Sequence, residues 1–161
     1  MGIEIERKFL VRNDAWRAEA GPGQRFVQGY LVNARNRSVR VRCEGERAFI
    51  TVKGPRKGIV RSEFEYEIPV AEAEQMLGEL CSKPLLEKTR HRVAHFGAVW
   101  EVDEYGGEHG GVVIAEIELD HADEAVTLPA WIGREVTDDP RYRASAIFAV
   151  ARGTETEGEQ P

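Results

Sequence analysis

The sequence predicts a mainly β protein of about eight antiparallel strands, arranged as a sandwich or a closed barrel. Two observations carry that prediction. Apolar and polar residues alternate with a period of two through most of the chain, as in strands with one buried face. Nearly every such run ends in turn-forming residues, and few stretches carry helical spacing, so helix bundles and alternating βα folds are excluded. At 161 residues, with 42% hydrophobic and 31% charged residues, the chain has the size and composition of one globular domain that buries a core without disulfides or metal. That domain is expected over residues 1–151, with the polar stretch 152–161 as a flexible tail.

The elements follow in order. In a first strand over 2–11, Glu4, Glu6 and Lys8 share one face, and Ile3, Ile5 and Phe9 the other. A short helix is expected from Asp14 to Glu19, then a strand over 25–33. In the strand over 37–43, Arg40 and Arg42 oppose Val39 and Val41; over 47–53, Thr51 and Lys53 oppose Ile50 and Val52. A loop is predicted from Gly54 to Gly58, with Arg56 and Lys57 solvated. The strand over 60–68 sets Arg61, Glu63, Glu65 and Glu67 against Phe64, Tyr66 and Ile68. "VAEAEQMLGEL" then takes helical period, with Met76, Leu77, Leu80 and Cys81 as its apolar stripe. Strands return over 86–95, with Lys88, Arg90 and Arg92 aligned, and over 98–105, with Glu101 and Asp103 against Trp100 and Val102. A glycine-rich hairpin loop, Gly106 to Gly111, leads to a strand over 112–120, where Glu116 and Glu118 oppose Ala115, Ile117 and Leu119. A last helix is predicted in "DPRYRASAIFAVAR", with Pro140 in its first turn.

Composition excludes several function classes. A net charge of −6 and a pI near 5.3 argue against a general nucleic-acid binder. Cys43 and Cys81 form no C-x-x-C pair, so no zinc site or disulfide framework is spelled out and a reducing cytosol is expected. The charged N-terminus lacks the apolar run of a secretory signal, and no stretch reaches membrane-spanning length; a cytoplasmic location is the expectation. His91, His95, His109 and His121 have no ligand spacing and are read as surface or loop residues.

Seven strands thus carry charge on one face, and like charges are grouped as E-x-E, R-x-R, E-x-E, K-x-R, E-x-D and E-x-E. Same-face neighbours lie roughly 6–7 Å apart, so each like pair repels by about 0.6 kcal/mol in water and about 2.5 kcal/mol at an effective dielectric of 20. Two arrangements are open at this point: a sandwich with a densely charged outer face, or a barrel whose charges line the lumen. In the barrel, the Met76/Leu77/Leu80 helix, the Ile147/Phe148 helix, Trp16 and Trp131 would cover the outer apolar faces. Such a lumen suits hard divalent cations on its carboxylates and phosphate oxygens on its Arg and Lys side chains, so a metal–polyphosphate complex would neutralise both sets.

The segments "EIERKFLV", "QGYL", "VRVR", "TVKG", "RSEFEYEI", "EKTR", "WEVDEY", "AEIEL" and "GREVTDDPRY" resemble, in order and spacing, the CYTH domain family, also called triphosphate tunnel metalloenzymes. The likeness runs from Ile3 to about Tyr142 and is greatest to the short bacterial members associated with hydrolysis of inorganic tripolyphosphate. It implies an eight-stranded antiparallel closed barrel, a tunnel with a charged lumen and helices packed outside. It also implies Mg²⁺ or Mn²⁺, as one or two ions, held by Glu4, Glu6 and Glu118 with Glu116 and Asp103 assisting. Substrate phosphates would meet Lys8, Arg40, Arg42, Lys53, Arg61, Lys88 and Arg90, and Lys8, Arg61, Glu63 and Glu65 would serve catalysis. The expected partner is a small-molecule triphosphate, with no nucleic acid and no membrane; a homodimer is compatible with the sequence. Ala144 stands where the short bacterial members have Asn, outside the charged faces.

Fold does not settle reaction. A class IV adenylate cyclase would need an adenine site, for which no constellation is evident. A thiamine triphosphatase shares the tunnel. A non-catalytic polyphosphate- or nucleotide-binding module would keep the bases and could lose the metal acids, and here both sets are present. A carrier of apolar ligands would need an apolar inner face, which the charge pattern contradicts.

Overall fold

Eight strands close into an antiparallel barrel in the computed structural model, which describes residues 2–106 and 111–147. In chain order these are β1 (Ile3–Val11), β2 (Gln24–Ala34), β3 (Arg37–Glu44), β4 (Arg47–Lys57), β5 (Val60–Ile68), β6 (Leu86–His95), β7 (Ala98–Tyr105) and β8 (Val113–Glu118). Neighbours run β1-β5-β4-β3-β2-β6-β7-β8 and back to β1, with every pairing antiparallel. Closure rests on a short contact: Ile3, Glu4 and Ile5 of β1 pair with Ser62, Arg61 and Val60 of β5.

A ninth strand, β9 (Ile132–Glu135), was not expected from the pattern. It takes the far part of the β1 edge, with Phe9 opposite Glu135 and Val11 opposite Ile132. Its four residues are too few to show alternation, and Gly133 breaks the apolar run. That glycine is needed, because a Cβ there would stand 3.1 Å from the Leu10 backbone oxygen.

The outer faces are covered as the barrel reading requires. Phe9, Trp100, Val102, Ala115 and Ile117 pack with Trp16, Leu119, Trp131 and Ile132 in one cluster. Trp100 makes edge contacts with Phe9 at 5.5 Å and Trp131 at 6.0 Å between centroids. On the other flank α1 (Val70–Glu79) lays Ala73 and Leu77, with Cys81 after it, over Val41 and Ala48 of β3 and β4. The helix turns differently from the predicted stripe: Leu80 is 65% exposed, and Ala73 takes the inward place.

Two further expectations are corrected. The Gly54–Gly58 stretch is not a loop, since β4 continues to Lys57 through a register shift between Lys53 and Arg56. The described part of the C-terminal segment, up to Ile147, opens as a 3-10 helix, Pro140–Tyr142, and lies against inner faces of the barrel rather than the outer sheet. Ile147, fully buried, packs instead with Leu86, Tyr105 and Ile114, which share the inner faces of β6, β7 and β8 with the charges, and with Leu10 and Tyr30 beside them. These apolar side chains at the β1, β2, β6, β7 and β8 sector of one barrel end need cover from inside, and the C-terminal segment supplies it. Phe148, His109, Gly107 to Gly110 and the 152–161 tail lie outside the described residues.

Because Trp100 anchors the outer cluster with no exposed surface, Trp100→Ala is expected to lower the free energy of unfolding by about 3–5 kcal/mol, measured by urea denaturation.

Candidate active site

The register brings the predicted charges together inside the barrel. Glu4 stands opposite Arg61, Lys8 opposite Glu116 and Glu6 opposite Glu118. Lys53 stands opposite Glu63, and Arg90 opposite Asp103. Most of these pairs set an acid against a base, which offsets much of the like-charge repulsion along each strand; Glu6 with Glu118 and Glu101 with Glu116 set acid against acid. Lys53 Nζ lies 3.0 Å from Glu4 Oε2 and 3.2 Å from Glu63 Oε2. Lys8 Nζ donates to the Tyr142 carbonyl at 3.1 Å and sits 4.0 Å from Glu116. Arg42 meets Glu44 at 2.9 Å and Glu65 at 3.5 Å, and Glu65 also accepts from the Thr51 hydroxyl at 2.8 Å.

Asp103 is the most enclosed of the acids, with no exposed surface. One of its oxygens accepts from Lys88 Nζ and Arg90 Nη2, each at 2.8 Å, and the other from Arg90 Nε at 2.7 Å. Glu118 is the least enclosed of the predicted metal acids and is exposed at the end of β8. Among the described residues no three carboxylates already stand in a ready-made metal cage.

Sequence reasoning missed four contributors. Arg56, read as solvated, is only 13% exposed in its side chain, and its guanidinium reaches within 3.9 Å of Glu6 Oε1. Its signal was masked by Gly54-Pro55, which reads as a turn. Phe26 is buried on the inner face of β2, and the cations of Arg42, Lys88 and Arg90 lie over its ring at 5.1–5.6 Å. Gln28 is also fully buried there, and neither amide atom has a partner. Tyr30, on the same face of β2, lines the lumen as well. Ala144 likewise lies in the cavity wall, between Arg143 and Ser145, rather than outside the charged faces.

The lumen is polar along its axis. One chamber, about 320 Å³, carries Lys8, Arg40, Lys53, Arg56 and Arg61 against Glu6 and Glu116, with Arg35, Arg37 and Arg143 also in its wall. The other, about 260 Å³, carries Glu4, Glu44, Glu63, Glu65, Glu101 and Glu118, relieved by Arg42, Arg90 and Arg92. Glu6, Arg40, Lys53 and Glu116 belong to both chambers and form the passage between them.

Crowding divides the carboxyls. Burial, then Glu116 and Glu4, raise Glu6 well above the usual carboxylate range. Burial also opposes charge on Glu116, but Lys8, a hydrogen bond from Glu6, and Arg90 more than offset it and hold Glu116 ionised. Within this pair, protonation is favoured on Glu6 and ionisation on Glu116. Burial and a hydrogen bond to Glu4 push Glu63 up to about 7, although Lys53 pulls the other way. Burial lowers Lys88 to about 8 against the attraction of Asp103.

A closed barrel whose lumen sets clustered Arg and Lys side chains beside crowded carboxylates defines a class: a tunnel lined by both signs of charge. The chain belongs to the CYTH domain family, whose model matches residues 2–153. Members of this family are triphosphate tunnel enzymes that use divalent metals. The chain is 51% identical over 147 residues to an inorganic triphosphatase of Acetivibrio thermocellus, covering 91% of this chain and 94% of that protein. It is 34% identical to an inorganic triphosphatase of Nitrosomonas europaea, covering 89% and 95% respectively. A crystal structure of an inorganic triphosphatase superimposes with TM-score 0.62 at 32% identity, covering 89% of this chain and 95% of that one. A Pyrococcus horikoshii protein of 18% identity shares the fold with TM-score 0.58, over 94% of this chain and 99% of that one.

The Glu63 shift has a stability consequence of definite sign. A folded-state value of about 7 against 4.5 means that the folded chain holds more protons, so the contribution is present below pH 4.5 and is lost as pH rises through 7. Glu63→Gln should therefore gain stability relative to the parent progressively across that window and level off above it, in urea titrations with chelator present.

Proposed function

We propose that the chain is an inorganic triphosphatase that hydrolyses the terminal phosphoanhydride bond of linear triphosphate inside the lumen. The observation that carries this reading is a set of buried, partnerless groups facing one space. Arg40 Nε, Arg56 Nη1 and Arg61 Nε lack hydrogen-bond acceptors, and across the passage Glu4 Oε1 lacks a donor. Polar atoms buried without partners are costly, and phosphate oxygens on one side with a dication on the other would satisfy both kinds. The two relatives named as inorganic triphosphatases support the substrate.

The donor set fits a hard divalent ion. Glu4, Glu6, Glu116 and Glu118 offer carboxylate oxygens from adjoining strands β1 and β8, and one of them, Glu4 Oε1, is orphaned. Mg²⁺ or Mn²⁺ is the natural match for oxygen ligands beside phosphate, and when bound it supplies Lewis-acid polarisation and charge neutralisation. Asp103 is reassigned: with its oxygens taken by Lys88 and Arg90, it positions those bases and holds no ion.

The chain's own side chains do the rest. Lys8, Arg40, Arg42, Lys53 and Arg61 hold the phosphate oxygens, Arg through its planar fork and Lys as a point charge. Lys88 and Arg90, fixed by Asp103, add positive potential at the wall. These bases stand in place before reaction, so charge moving onto the departing diphosphate is stabilised without reorganisation. The bond formed joins the water oxygen to the terminal phosphorus, and the bond broken is the bridging P–O. Glu63, near 7, is poised to take the proton the water loses; Glu65 steadies Arg42.

The test is phosphate release from inorganic triphosphate, ATP and thiamine triphosphate with Mg²⁺, Mn²⁺ or EDTA. Inorganic triphosphate is expected to be cleaved fastest, with loss of turnover in EDTA. Cyclic AMP from ATP with intact triphosphate would reject the proposal. Glu6→Gln is expected to lower turnover by at least about 100-fold while the circular dichroism spectrum is unchanged.

A further inference from the structure

The two ends of the lumen are chemically unlike, and topology fixes which residues stand at each. At one end lie the β2–β3 hairpin, the end of β4 and the start of β5, with Arg143 of the C-terminal segment beside them. The same end is closed over β1, β2, β6, β7 and β8 by Tyr142, Ala144 and Ile147 on Leu86, Tyr105 and Ile114. Among the described residues, a mouth remains on the β3–β5 side, rimmed by Arg35, Arg37, Arg56 and Arg143. Arg35, Arg37 and Arg143 are exposed, whereas Arg56 is mostly enclosed. The opposite mouth carries Glu44, Glu65, Glu101 and Glu118, with Arg42 and Arg92 as counter-charges.

We infer that the arginines rimming this mouth are an anion-collecting entrance to the chamber, through which triphosphate enters the lumen. The inference rests on the proposed triphosphatase reading. The chain's net charge of −6 repels a polyanion overall, so approach is productive only where the local potential reverses. Low-dielectric walls lined by one sign of charge focus that potential. The sign is the same further in: Arg56, unpartnered at Nη1 and 3.9 Å from Glu6 Oε1 through its other amino group, lines the same cavity as the exposed arginines and as Arg61, Arg40 and Lys8. A phosphate chain entering here meets eight basic side chains against two acids, Glu6 and Glu116. Approach from the other end would bring it first against a majority of carboxylates. Neither Arg35 nor Arg37 has an acidic hydrogen-bond or ion-pair partner among the contacts of the described residues, and Arg37 donates only to the neighbouring Asn36 side chain, so their charge is free to act on an anion.

The experiment is steady-state hydrolysis of inorganic triphosphate by the full chain, its Arg35→Glu/Arg37→Glu double variant and the Arg92→Glu variant of the opposite mouth. Each is measured from about 50 to about 500 mM KCl, where the screening length falls several-fold. The double variant is expected to lose about tenfold in kcat/KM at the low salt, carried by KM, and to converge on the parent at the high salt. The Arg92→Glu variant is expected to stay within about twofold at every salt. An unchanged kcat/KM for the double variant, or an equal loss in Arg92→Glu, overturns the inference while parental turnover leaves the triphosphatase reading standing. Absence of parental turnover overturns the triphosphatase reading itself, and equilibrium binding of inorganic triphosphate by the same three proteins then decides the rim: weaker, salt-sensitive binding by the double variant alone supports it, and equal binding by all three rejects it.

Discussion

Register is the constraint on which this protein depends. Side chains alternate along every strand, so a slip of one residue in any pairing would turn that strand's acids and bases outward and its valines and isoleucines inward. The pairings of Glu4 with Arg61, Lys8 with Glu116, Lys53 with Glu63 and Arg90 with Asp103 are thus one arrangement seen at four places. Each places a base where its neighbouring acids would otherwise repel. The outer apolar cover enforces the same register from outside: Trp100 can meet Phe9 and Trp131 only if Glu101 and Asp103 face the lumen.

Compensation inside is deliberate in some places and left open in others, and the difference marks the chemistry. Around Asp103 it is complete: three hydrogen bonds from two cations fix a rigid wall. Around Glu4, Glu6 and Glu116 it is incomplete, with one oxygen orphaned and Glu6 pushed well above the usual carboxylate range by burial and its acidic neighbours. Around Arg56 and Arg61 donors also go begging. A chain selected for stability alone would have paired or removed these groups; their retention is the familiar cost of a site built to bind something charged.

The alternation that predicts the eight barrel strands is legible because each strand has one apolar and one charged face, and the lumen charges are legible for the same reason. Where that contrast fails, so does the reading. β2 puts Phe26, Gln28 and Tyr30 inward, and with no ionised group on that face nothing distinguishes lumen from core. Arg56 hides behind Gly54-Pro55, a pair that spells a turn locally but that the barrel accommodates by a register shift within β4. Asp103 looks like its neighbour Glu101 in the sequence, and only the cross-strand partners separate a wall residue from a candidate ligand. The C-terminal segment was placed by its apolar character, which says that Ile147 must be covered but not from which side.

That last misplacement explains why the lumen is asymmetric. A barrel of this kind has two equivalent openings until something closes part of one. Here the inner faces of β6, β7 and β8 change from charged to apolar toward one end, at Leu86, Tyr105 and Ile114, and the C-terminal segment seals them. Lys88 shares the inner face of β6 with Leu86, and burial lowers its ammonium to about 8. Low local dielectric strengthens the charge interactions around it. Among the described residues, those lining that end on the β3–β5 side carry basic groups rather than carboxylates. An apolar sector covered on one side and a basic lining left on the other give the tunnel a direction.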